Sequence, residues 1–144
     1  MQDVAEGRGP GAQLGLAQVH GPSMVPTLRH GDRLVVRYGA EVRPGAVVVL
    51  RHPFQQDLLV VKRAVERRPG GWWVLGDNPY AGGDSTDYGV VPRELVLGRV
   101  LVRFRPPPAR RERPTPLALA AWAFGAVRPV AARRVTARGR RTPG

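Results

Sequence analysis

The chain contains no cysteine, which removes disulfide frameworks, thiol nucleophiles and cysteine-ligated zinc together. Lysine is almost missing as well: of 23 basic residues 22 are arginine, and Lys62 stands alone. Serine, usually among the commonest residues, occurs only as Ser23 and Ser85. No apolar run approaches the roughly 20 residues that a membrane-spanning helix requires. The opening MQDVAEGRGPGAQLG lacks the basic-then-apolar order of a secretory signal or anchor. The expectation is therefore a cytoplasmic protein, with peripheral attachment to the inner face of the membrane as the alternative.

What is abundant is arginine, and its distribution matters more than its sum. The formal net charge is +12; residues 1–106 contribute +4 and residues 107–144 contribute +8. Most of the excess lies in the C-terminal segment, so charge alone does not make the main body a nucleic-acid binder. With 144 residues, one domain with tails is expected. A Gly-rich leader covers 1–13, a body covers 14–106, and a Pro/Arg-rich tail covers 107–144.

The body reads as short runs of β-branched and apolar residues separated by Gly, Pro and Asp: LGLAQVHG, DRLVVRYG, AVVVLRH, LLVVKRAVERR, GWWVLGD and LGRVLVRFR. Such runs favour strands, so a mostly β fold is expected. Pro69, Gly70 and Gly71 sit between two runs and predict a hairpin. VPREL predicts one helical turn, and PYAGGDSTDYG, rich in Gly and Asp, predicts an irregular loop. The triple proline after Arg105 ends the ladder, since proline donates no hydrogen bond. The apolar stretch 117–127 predicts a short helix of about 16 Å, too short to span a bilayer. It either packs on the body or lies at a membrane surface, and its uniformly apolar character favours packing.

The rarities concentrate attention on two positions. An Arg-favouring bias replaces Lys wherever only charge is needed, but a guanidinium does not release its proton at usable pH, so a proton-accepting Lys resists replacement. Lys62 follows four apolar residues, and strand alternation places it on one face with Val60 and Ala64, opposite Val61, Arg63 and Val65. Burial disfavours an ammonium, and a neutral amine can accept a proton from a serine hydroxyl. Ser23 lies in GPSMVPTLRHGD, where Gly21, Pro22 and Pro26 restrict the backbone. A serine in a Pro-rich turn and a snorkelling strand Lys are each ordinary when taken alone.

The ordered blocks GPSMVPTLRHGDRLVV, PGAVVVLRHP, LLVVKRAV, GDNPYAGGDSTDYGVV and LGRV resemble those of the type I signal peptidase family across roughly residues 15–105. The resemblance implies a β-rich barrel or sheet and a Ser-Lys dyad that cleaves a peptide bond near the N-terminus of a precursor protein, without a cofactor or metal. It assigns Ser23 as nucleophile and Lys62 as base. Gly76, Asp77, Asn78, Asp84 and Ser85 match the supporting segment, while Met24, Pro26 and Val35 are expected as walls of the substrate pocket. RHPFQQDLLVVKRA and GDNPYAGGDSTDYG are most similar to the branch that matures nickel-type superoxide dismutase, which makes that dismutase's precursor the implied partner. Three positions depart from the broader pattern: Gly21 where some members carry an oxyanion-binding hydroxyl, Gly82 where some carry a Lys-supporting serine, and Thr86 where Arg often follows Asp-Ser. Side-chain help at Gly21 is lost, and Pro22 has no N–H, leaving the amide of Ser23 as the named oxyanion donor.

Two rival readings stay open at this level. His20, His30 and His52 could combine with an Asp in a Ser-His-Asp triad, although they form no recognisable motif. The same histidines show no metal-ligand spacing. A basic β-barrel that holds nucleic acid or an acidic partner would explain the tail but not the scarcity of Ser and Lys, and nucleic acid is not the expected partner.

Overall fold

A computed structural model describes residues 7–8, 13–107 and 116–135. Its strands are β1 (Gly7–Arg8), β2 (Leu14–Gln18), β3 (Arg33–Tyr38), β4 (Val47–His52), β5 (Gln55–Arg68), β6 (Gly71–Leu75), β7 (Val91–Pro92), β8 (Val96–Phe104) and β9 (Val127–Pro129). All belong to one antiparallel sheet with the order β1-β2-β3-β8-β4-β5-β6-β7, and β9 pairs with β8. Each of the six β-type runs forms a strand, and the mostly β expectation holds. VPREL supplies a single 3-10 turn at Arg93–Leu95.

The hairpin between β5 and β6 follows from its turn residues. Arg68 pairs with Gly71, and Pro69 and Gly70 form the link. Gly70 adopts φ 88°, a conformation that costs a residue without Cβ little. The turn places β6 beside the second half of β5.

Val47–Leu50 of β4 and Leu59–Val65 of β5 are buried on both faces, which explains why these segments read as nearly continuous apolar runs. Val47, Val49, Leu59 and Val61 join Leu34, Val36, Met24 and Leu28 in one core. Val48, Leu50, Val60 and Ala64 join Trp72, Val74 and Val91 in the other. The two clusters use alternate residues of the same strands, as the pleat demands. Gly98 permits a close crossing at the centre of the sheet: a Cβ there would lie 2.6 Å from the Arg37 carbonyl oxygen.

Two features differ from the sequence expectation. PYAGGDSTDYG is not wholly irregular, because Ser85–Tyr88 forms one helical turn, α1. Asp84 caps it by accepting from the Thr86 amide at 3.0 Å and the Thr86 hydroxyl at 2.6 Å, and this local capping outweighs the surrounding glycines. Beyond the prolines, α2 (Pro116–Ala126) leads into β9, which returns to the sheet and pairs Val127 with Phe104. The Arg133 amide then donates to the Gly45 carbonyl at 3.0 Å. The segment read as tail thus contributes a strand, while its last residues, 136–144, and the leader residues 1–6 and 9–12 lie outside the described set. Among the described residues, no helix is long and apolar enough to cross a membrane.

Candidate active site

The loop between β2 and β3 carries Ser23, and the middle of β5 carries Lys62. Both line one open cleft of about 300 Å³, together with His20, Gly21, Pro22, His52, Leu58, Val60, Ala81, Gly82 and Gly83. Lys62 is only 2 % exposed. It pairs across the sheet with Val48 and shares its strand face with Val60 and Ala64. A strand interior holds the amine-bearing residue against the cleft without a flexible loop, and Ser23 faces the same space from a turn.

The Ser23 loop is fixed by the segment that follows β6. The Asn78 amide donates to the Ser23 carbonyl at 3.0 Å, and Asn78 Nδ2 donates to the Pro22 carbonyl at 3.1 Å. Gly76 passes so near that a Cβ would stand 2.6 Å from the Ser23 carbonyl oxygen. Glycine is required here by close approach, and its conformational freedom is secondary. The Gly76-Asp77-Asn78 sequence is therefore a cradle for the serine turn as well as a turn in its own right.

Asp77 anchors that cradle. Its carboxylate accepts from Arg63 Nε and Nη2, each at 2.8 Å, and from the Thr27 hydroxyl. Arg63 Nη1 also donates to the Gly45 carbonyl at 2.6 Å. Burial would push the Asp77 carboxyl up, but the hydrogen bonds from Arg63 and Thr27, with the charge of Arg63 and a smaller contribution from Arg133, hold it below its ordinary value of 3.8. A buried Asp with a forked Arg partner is a positioning device, because the planar guanidinium accepts only a narrow range of carboxylate orientations. Thr27 ties the same carboxylate to the Ser23 loop.

Asp84 and Ser85 support β6 from its far side. The Gly76 amide donates to Asp84 Oδ2 at 3.1 Å, and the Val74 amide donates to Ser85 Oγ at 2.8 Å. Both side chains are buried. They satisfy amides where the short β7 no longer reaches along β6.

The substrate-wall expectations fare differently. Met24 is 1 % exposed and belongs to the hydrophobic core, because the turn directs it beneath the loop. Val35 sits half-buried on β3 and Pro26 is exposed, and neither lines the cleft. The cleft walls come instead from β5 (Leu58, Val60) and the small residues Gly21, Ala81, Gly82 and Gly83. Sequence reasoning gave Arg63 no role of its own and missed its clamp on Asp77. The signal was present in alternation, which set Arg63 on the face opposite Lys62, but the partner 14 residues away becomes visible only after the hairpin closes.

His20 and His52 reach the cleft, whereas His30 Nδ1 accepts the Gly21 amide at 3.1 Å and its ring meets that of His20 edge-on. The Phe54 amide donates to His52 Nδ1 at 3.1 Å, so a neutral His52 carries its proton on Nε2. Among the described residues, no group of three His, Asp or Glu side chains is placed to hold a metal ion.

The chain belongs to the Peptidase S24-like family, whose model matches residues 4–88, and this membership makes it a peptidase. Its relatives include the mitochondrial ATP-independent inner membrane protease subunit 1a of Arabidopsis thaliana, 33 % identical over 65 % of this chain and 72 % of the relative. The mitochondrial inner membrane protease subunit 1 of Schizosaccharomyces pombe is 32 % identical over 61 % of this chain and 71 % of the relative. The corresponding subunit of Xenopus tropicalis is 28 % identical over 60 % and 66 %. Membership favours a peptidase acting on a protein substrate over the binding-module reading.

Proposed function

We propose that the protein is a serine endopeptidase in which Ser23 attacks the scissile carbonyl and the neutral amine of Lys62 accepts its proton. The observation that supports this reading is that Ser23 and the chain's sole lysine, almost fully buried, line the same cleft. Attack gives a tetrahedral intermediate that collapses to an acyl-enzyme on Ser23, and the protonated Lys62 supplies the proton that leaves with the amine product. Water, deprotonated by the same amine, then releases the acid product and restores Ser23. The Ser23 amide serves as an oxyanion donor. The Gly21 amide is already engaged by His30.

The cleft suits an extended peptide. β6 pairs with β5 only from Arg63 onward, so the stretch Leu58–Lys62 meets β4 on one side and the cleft on the other. An extended leader segment can align there by main-chain hydrogen bonds. Gly21, Ala81, Gly82 and Gly83 offer walls almost without side chains, which admits a backbone closely and favours small residues at the cut.

The proposed substrate is the leader of a nickel-type superoxide dismutase precursor, on the similarity of RHPFQQDLLVVKRA and GDNPYAGGDSTDYG to that branch of maturation peptidases. The test is incubation of this precursor with wild-type, Ser23→Ala and Lys62→Arg protein, with the new N-terminus mapped by mass spectrometry. A single cut made only by wild type supports both dyad and substrate. No cut by wild type refutes the substrate, and a cut by Lys62→Arg refutes the base.

A further inference from the structure

We propose that His30 is a positioning residue: its neutral imidazole holds the amide side of the Gly21-Pro22-Ser23 turn and thereby fixes where the Ser23 hydroxyl stands. The proposal rests on the reading of Ser23 as nucleophile. Asn78 secures the carbonyl side of this turn, donating to the Pro22 carbonyl at 3.1 Å and the Ser23 carbonyl at 3.0 Å. Pro22 has no N–H to offer. The Gly21 amide is thus the nearest backbone donor before Ser23, and it donates to His30 Nδ1 at 3.1 Å. Gly21 lines the cleft and adopts φ 86°, one of many conformations open to glycine, so a bond that selects it has something to restrain.

The backbone that carries His30 is anchored on several sides. The Val19 amide donates to the Asp32 carbonyl and the Gly31 amide to the Val19 carbonyl, both at 2.8 Å, which clamps this turn to the segment that leaves β2. The Asp32 amide closes the turn on the Arg29 carbonyl at 3.0 Å. The buried Asp32 carboxylate accepts the Arg29 amide at 2.9 Å and two Arg105 donors at 3.0 Å, tying the turn to the end of β8. From this fixed base the imidazole reaches back across 9 residues to Gly21. A hydrogen bond from an anchored group to a Gly-Pro turn transmits that anchoring to the residue carrying the nucleophile.

The contact exists in one protonation state. Nδ1 accepts only while it carries no proton, so neutral His30 keeps its proton on Nε2. Protonation turns Nδ1 into a donor facing the Gly21 N–H, and the tie breaks. The titratable and charged groups around the ring are His20, which meets it edge-on at 5.4 Å from beyond the end of β2, and Arg29 and Asp32 of its own turn; Lys62 stands in the cleft that His20 also lines. The sign follows: the tie is present on the alkaline side and lost as pH falls, by a proton distinct from the one Lys62 must shed to act as base. Asparagine reproduces the acceptor without the titration, since its Oδ1 takes the place of Nδ1.

The test has two readouts on the full-length chain. In amide NMR spectra the Gly21 proton should titrate with the midpoint of the His30 ring, an effect that persists in His20→Gln and vanishes in His30→Asn. For turnover, the substrate is a peptide that wild type cuts, drawn from a random library. His30→Leu should lower kcat about tenfold with KM little changed, and His30→Asn should stay within about twofold at neutral pH. Toward acid, wild type should fall below His30→Asn. His30 is exposed, so both variants should fold, and circular dichroism checks this. A Gly21 amide indifferent to His30 overturns the tie, and full activity of His30→Leu overturns its part in positioning. A faster His30→Leu overturns it too, and marks the released Gly21 amide as an oxyanion donor. Cleavage retained by Ser23→Ala overturns instead the catalytic reading beneath the proposal.

Discussion

Replacing Asp77 with Asn should destabilise the protein by about 3 kcal/mol, the low end of the roughly 3–5 kcal/mol that follows when a buried ion pair loses one partner. The side chains of Asp77 and Arg63 are both only 2 % exposed and are joined by two hydrogen bonds of 2.8 Å. Asn keeps one acceptor for Arg63 or Thr27 but leaves the guanidinium charge buried, with the Gly45 carbonyl as its remaining strong acceptor. Urea unfolding followed by tryptophan fluorescence measures the change, as a lower midpoint at unchanged m-value. The melting temperature should fall by on the order of 10 °C. Arg63→Met, which removes the orphaned charge, should recover part of the loss in the Asp77→Asn background, a coupling that a double-mutant cycle reads directly. The sign of the pH dependence follows from the lowered Asp77 value. The carboxylate contributes fully above the unfolded value near 3.8 and loses its contribution as pH falls through the lower folded value, so the gap between wild type and Asp77→Asn closes only under strong acid. A destabilisation below about 1 kcal/mol at neutral pH would refute the claim that this pair anchors the cradle.

Three further outcomes are expected. Gly76→Ala should lower kcat by about 10²-fold with a smaller change in KM, because the added Cβ displaces the Ser23 carbonyl and a shift near 1 Å is enough; unchanged turnover of a leader peptide would argue against the cradle. Ser85→Ala should cost about 1–3 kcal/mol in urea unfolding by leaving the buried Val74 amide without its acceptor. Asp32→Asn should cost about 3 kcal/mol in the same assay, since the buried Asp32 carboxylate pairs with Arg105 through two 3.0 Å contacts that tie the end of β8 to the Ser23 loop.

The fold was legible wherever a strand was encoded locally. Runs such as AVVVLRH and LLVVKRAV carry β-branched residues on both faces, and burial on both faces is what they find. β9 was not legible, because Val127–Pro129 is three residues long, contains proline, and is held by pairing with Val102–Phe104. α1 was hidden in a Gly-rich stretch since its stability comes from one cap, Asp84. At the site, composition singled out Lys62 and narrowed serine to Ser23 and Ser85, the family resemblance pointed to Ser23, and the fold brings Ser23 and Lys62 to the same cleft. Met24 was misplaced because adjacency to Ser23 in sequence says nothing about which way a turn directs the next side chain. The Arg63–Asp77 clamp depends on a register fixed by the hairpin, and no local pattern encodes it.

The most direct test of the Ser-Lys account is cleavage of an unbiased peptide library, with new N-termini identified by mass spectrometry for wild type, Ser23→Ala and Lys62→Arg at matched folded concentration. The account predicts a defined set of new termini from wild type and none from either variant, because arginine keeps the charge of Lys62 while removing a base. Retention of the wild-type termini by Lys62→Arg would contradict it and move His20 or His52 into the role of proton acceptor.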